Sequence, residues 1–212
     1  GQVKLYVPRG NYKMVAIAAA TDKPSEDNKV SIKSKTEVVF PKNVVTDMFY
    51  TYQDIAVKDR EERQNYDCIL KRGVSVLVLD SRLEIRPDYI KSFKYTITGN
   101  CGNVFNPSTG HCLEKTTLTK TYDISGNQYK GKKIMFSSYF FLGEDNVTDI
   151  TLATQSVDTE NNVAKELSFE NVHMVKGKMT TYKGPFLSTH SAASFIIDSP
   201  TIPDSGFSTE FE

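Results

Sequence analysis

Cys101 and Cys112 bracket a loop rich in Gly and Asn, TGNCGNVFNPSTGHC, with His111 beside the second thiol. Two thiols and an imidazole could bind zinc or form a Cys/His nucleophile. A structural zinc site takes four ligands, yet only three nitrogen or sulfur groups lie here, and the chain has no Cys-x-x-Cys pair. A nucleophile needs a base held by a third group and donors for an oxyanion, and no such motif accompanies these residues. The third option, favoured over both, is a disulfide between Cys101 and Cys112 in an exported protein, which would stabilise the loop by about 2 to 3 kcal/mol. Cys68 is then the odd thiol, a small buried residue on an apolar run.

The remaining polar candidates are weaker. His173 and His190 have no His partner at ligand spacing. Glu144, Asp145, Asn146 and Asp149 bring several oxygens together, but the order of an EF-hand loop is absent and a solvated turn accounts for them. Asn146-Val147-Thr148 fits the glycosylation triplet. The expectation is therefore no catalytic residue, no cofactor and no metal. Among 11 Tyr and 12 Phe, exposed rings could stack on sugars, a second function class; the lack of Trp weighs against it.

These groups must be positioned by strands. Cys68 to Ile85, CILKRGVSVLVLDSRLEI, is the most strand-like stretch, and both of its alternating faces turn apolar from Val74 onward. That pattern predicts a strand entering the interior between two layers. Around it, extended runs are predicted over residues 3–7, 12–20, 30–40, 44–57, 89–98, 113–124, 132–142, 147–154, 163–169, 171–175, 178–183 and 193–198. Turn residues such as Pro8 to Asn11 and Ser125 to Asn127 separate them. The first two runs read as a hairpin. Short strands at this spacing, without helical periodicity, describe an all-β sandwich or barrel. The charged run KDREERQNYD, Lys58 to Asp67, is the expected connector between a β-sandwich at 1–66 and a second at 67–212.

Lys plus Arg equals Asp plus Glu at 26 each, so no basic excess favours nucleic acid as a partner. No run of about 18 apolar residues could span a bilayer. The opening at Gly1, without Met or an apolar secretion segment, reads as a removed leader or a cloning scar; membrane contact would then come only through a lipid anchor lying in the missing part. At the other end, Phe195 and Ile197 precede a tail in which Phe207 and Phe211 share one face of an extended strand. The tail could add to a sheet edge of a neighbouring subunit, or stay an unattached polar segment.

Four stretches together resemble the fimbrillin superfamily of Bacteroidetes-type fimbrial subunits and surface anchors. They are VPRGNYKMVAIA (Val7 to Ala18), TDMFY (Thr46 to Tyr50), the Leu70-Lys71-Arg72 entry into the apolar run, and NVHMVKGKMTTYKGPFLS, with Thr180, Tyr182, Gly184 and Phe186 in a Thr-x-Tyr-x-Gly-x-Phe pattern. The resemblance implies two Greek-key, transthyretin-like β-sandwiches, the first incomplete, and export to the outer membrane surface or a fimbria. It implies a non-enzymatic adhesive role with partners among fimbrial subunits, host surface proteins or glycans, and subunit contacts through Phe195, Ile197, Phe207 and Phe211. The chain departs from the pattern in having no lipid-acceptor Cys near Gly1, and Gly73 and Ser75 stand where bulkier residues are expected.

Overall fold

The computed structural model describes residues 3–20, 29–58, 64–188 and 194–201. Strand occupies 56% of the chain and helix 3%, so the protein is all-β, as alternation without helix caps implied. In chain order the strands begin with β1 (Gly10–Ala19), β2 (Ser31–Ser34), β3 (Glu37–Val39), β4 (Met48–Val57), β5 (Lys71–Arg72), β6 (Ser75–Asp80), β7 (Ile90–Gly99) and β8 (Cys101–Gly102). They continue as β9 (Val104–Asn106), β10 (His111–Cys112), β11 (Leu118–Asp123), β12 (Met135–Leu142), β13 (Val147–Asp158), β14 (Val163–Val175), β15 (Met179–Lys183) and β16 (Ile196–Thr201).

Two sheets, ordered β11-β7-β13-β14 and β16-β15-β6-β12-β8, enclose the larger apolar cluster. Alternate residues of β7, β13 and β14 supply Phe93, Tyr95, Ile97, Ile150, Leu152, Val172 and Met174, while β6 and β12 supply Leu77, Leu79, Phe136 and Phe140. The period of two places all these groups on one face of each strand. All six residues of β6 are buried. Leu77 and Leu79 face the larger cluster, and Val76 and Val78 meet Met135 on the other side. β6 is thus buried on both faces, as its Val- and Leu-rich run predicts.

A smaller cluster gathers Val38, Phe40, Val45, Met48, Tyr50, Val74, Phe105 and Phe141. The sheets β1-β4-β5 and β10-β9-β3-β2 contribute to it. Phe140 and Phe141, adjacent on β12, point into different clusters, which explains why that strand is aromatic on both faces.

Several expectations are corrected. Regular pairing in the central run is confined to Lys71–Arg72 and Ser75–Asp80. Between them the Gly73 amide hydrogen-bonds to the Met48 carbonyl at 2.9 Å, and a Cβ at Gly73 would lie 2.4 Å from Met48 Cε. A larger residue there would have to displace the end of the Met48 side chain and press on the Tyr50 ring. Cys68 precedes the strands and is exposed, with its thiol 3.8 Å from Met14 Sδ, so it is not a buried core residue. Residues 3–8 form no strand. Instead of folding back on them, β1 pairs with β4 over ten positions, from Gly10 opposite Val57 to Ala19 opposite Met48, a longer ladder than the five residues 3–7 could offer. The run at 30–40 folds into two strands around Lys35 and Thr36.

Pairing also crosses residue 66. β3 bonds to β9 and β4 to β5, so the smaller cluster draws on both sides of the connector.

Candidate functional site

The loop from Thr98 to Cys112 contains three short strands. Asn106 Oδ1 accepts from the Ser108 amide at 3.0 Å, and its carbonyl accepts from the Gly110 amide at 2.7 Å, which closes the β9–β10 turn. Gly110 adopts φ 77°, and a Cβ there would lie 2.0 Å from the Tyr50 hydroxyl oxygen. Only Gly meets both demands.

Both cysteines are free thiols. Cys101 is fully buried in the larger cluster, and Cys112 packs against the smaller one. Burial, with Cys112 adding to it, pushes the Cys101 thiol up to about 12. Burial also pushes the Cys112 thiol up. His111 is shifted the opposite way, down, by burial and then by the Lys176 charge. A working Cys/His pair needs a stabilised thiolate and imidazolium, whereas each group here is pushed toward its neutral form. Cys101, His111 and Cys112 form no metal-ligating group, and none exists among the described residues. Of the acidic turn, Asp149 is taken up by His173 Nδ1 at 3.1 Å on the neighbouring strand, while Glu144, Asp145 and Asn146 stay exposed.

The sheet margins differ in how they are guarded. β14 carries Lys165, Glu166, Glu170 and His173, with a left-handed Asn171 at φ 55°, and β11 carries Lys120 and Asp123. Charges and backbone irregularities of this kind discourage pairing with another chain. β1 has neither. It pairs only with β4 among the described strands, runs ten residues as GNYKMVAIAA, and bears one charge, Lys13, which pairs with Asp54 on β4. Ahead of it Val3 and Tyr6 are each 86% exposed, and Leu5 is exposed as well.

At the C-terminal end, Phe195 is half-buried against Phe169 and Phe186, with ring centroids at 4.9 and 5.0 Å. Ile197 is exposed on β16, the last strand of its sheet. The structure therefore separates two residues that share a predicted role. Phe207 and Phe211 lie outside the described residues, as does His190.

Sequence reasoning missed a pair of charged hubs beyond β6. The Glu84 carboxylate accepts from the Ser81 hydroxyl at 2.7 Å and from the Leu187 and Ser188 amides at 2.7 and 3.0 Å. The Arg86 side chain, 4% exposed, donates to the carbonyls of Tyr129, Pro87 and Ile90. The only signal was charge alternating with apolar residues in LEIRP. Together they tie three loops around an open groove of about 500 Å3, which Ile85, Pro87, Asp88, Tyr89, Lys130 and Ser188 help to line.

Residues 27–210 match the model of a family described as a family of unknown function, DUF6562. No curated protein matches the chain. Among solved structures, a candidate adhesin from Bacteroides ovatus is similar at 13% identity and TM-score 0.46, over 77% of this chain and 66% of that one. A candidate adhesin from Bacteroides thetaiotaomicron is similar at 13% identity and TM-score 0.43, over 95% and 80%. A candidate cell adhesion protein from Bacteroides ovatus follows at 11% identity and TM-score 0.44, over 92% and 69%.

Proposed function

The chain belongs to the DUF6562 family, and for this member of it we propose a non-enzymatic, fimbrillin-like structural and adhesive role at the bacterial cell surface, exerted through β-strand contacts between subunits. The observation that carries this reading is the edge of β1 opposite β4, which no described strand pairs. A ten-residue edge with a single, already paired charge offers its backbone N–H and C=O groups to an incoming strand, a liability that proteins otherwise block.

Charge supports one occupant. Residues 3–20 include Lys4, Arg9 and Lys13 and no acidic residue, whereas residues 202–212 include Asp204, Glu210 and Glu212 and no basic one. The tail of a neighbouring subunit is thus complementary to this margin in charge. Phe207 and Phe211 would anchor on one face, while Phe195, packed on Phe169 and Phe186, holds the base of the tail to its own sheet and Ile197 stays exposed.

The test deletes Ser205 to Glu212 and then adds a free peptide of residues 202–212. The deleted protein should keep its melting temperature, lose chain-to-chain association, and bind the peptide with an affinity that falls as salt rises. Unchanged association, or no peptide binding, would end the proposal. A large fall in melting temperature would make the tail an internal strand instead.

A further inference from the structure

The loop after β6 exposes apolar side chains from a rigid base. Ile85 is 58% exposed and Tyr89 38%, while Arg86 and Ile90, between and beside them, are buried. Arg86 bonds to three carbonyls, its own amide bonds to Lys132 at 2.9 Å, and Glu84 clamps the 187–188 backbone, so the groove walls are fixed in advance. Apolar groups held outward by a braced scaffold, with polar groups at the margin, are the usual composition of a binding site.

We propose that this groove binds a neutral saccharide. The lining chooses among ligand classes. The Arg86 guanidinium is occupied by three backbone carbonyls and faces Asp88 Oδ1 at 3.7 Å, so it is not free for a phosphate, sulfate or carboxylate. Asp88 is a single carboxylate, too few oxygens for a hard cation. The rim carries the Asp88 carboxylate, already 3.7 Å from Arg86 Nη2, and the Lys130 ammonium, groups that can accept from and donate to an uncharged hydroxylated ligand. The Tyr89 and Pro87 rings and the Ile85 side chain provide a face for the C–H side of a sugar ring. The site lies on the larger sandwich and uses no residue of β1 or of the tail, so its success or failure is separate from that of the subunit contact.

The experiment screens the full chain on an array of neutral, sialylated and sulfated oligosaccharides, with an apolar peptide library as the competing probe. The best oligosaccharide is then titrated against the wild type and against Tyr89→Ala, Asp88→Asn and Lys130→Ala. At least one neutral oligosaccharide should bind, with affinity reduced roughly tenfold in Tyr89→Ala and less in the two rim variants. Melting temperatures of Tyr89→Ala and Lys130→Ala should stay near wild type, since both side chains are exposed, whereas Asp88→Asn also takes a charge away from the buried Arg86 and should lower it slightly. Failure of every neutral glycan to bind overturns the proposal, as does binding only of charged glycans or of apolar peptides. Glycan affinity indifferent to Tyr89→Ala overturns it equally.

Discussion

Between β7 and β12 the Phe93 and Phe136 rings stack at 4.2 Å, inside a cluster of nineteen buried residues from Leu77 to Leu187. Around Tyr50, by contrast, eight buried residues from Val38 to Phe141 assemble from short strands on both sides of the charged connector. There Phe105 meets Tyr50 edge-on at 4.6 Å, and the margin is closed by a buried ion pair, Arg72 Nη1 to Asp47 Oδ1 at 3.1 Å. The larger region relies on apolar area, which is roughly additive and insensitive to pH. The smaller one relies on a few rings and on charges whose desolvation nearly cancels their attraction. The contrast places the proposed assembly edge, β1, on the region with less apolar area to hold it, while the groove sits on the region with more.

The largest expected effect tests the first half of that contrast. Phe93→Ala removes a fully buried ring and should cost about 3 to 5 kcal/mol, read as a lowered denaturation midpoint for the whole chain. If only a subset of amides lost exchange protection, the larger cluster would not be the common core.

Arg72→Met comes next. It leaves the Asp47 carboxylate buried without its partner and should cost about 3 kcal/mol. The loss should appear mainly as faster hydrogen exchange in β1, β4 and β5, with β7 and β13 still protected. Equal loss of protection in β7 would show that the two regions unfold as one.

The smallest effect concerns pH. The Arg82 side chain, together with its amide, holds the Asp80 carboxyl below its ordinary value of 3.8 against burial. Burial raises Asp47 above that value, with Arg72 opposing. The stability linked to Asp80 is present above 3.8 and lost as pH falls through its lowered value. That linked to Asp47 is present below 3.8 and lost as pH rises through its raised value. Wild type and Asp80→Asn should therefore differ in stability at pH 7 and converge as acid protonates Asp80, measured by denaturant midpoints at both ends. A constant difference would mean that Asp80 has no net ionic role.

The sequence by itself determined the fold class. Side-chain alternation is a local property, so β7, β12, β13 and β15 are legible residue by residue, and the switch to two apolar faces at Val74 marks the buried strand. It also identified the Gly- and Asn-rich loop, because the left-handed turn at Gly110 leaves a compositional trace. What only the tertiary structure decided is pairing between distant segments. β1 joins β4 rather than residues 3–7, and β3 joins β9 across residue 66, because a strand's period specifies which face is buried and not which chain lies beside it. For the same reason the unguarded edge of β1, the opposite placements of Phe195 and Ile197, and the exposure of Cys68 could not be read in advance. The Glu84 and Arg86 hubs were hidden for a further reason: their long-range partners, Tyr129, Leu187 and Ser188, are bonded through backbone groups 43 to 104 residues away, and backbone carries no sequence signal.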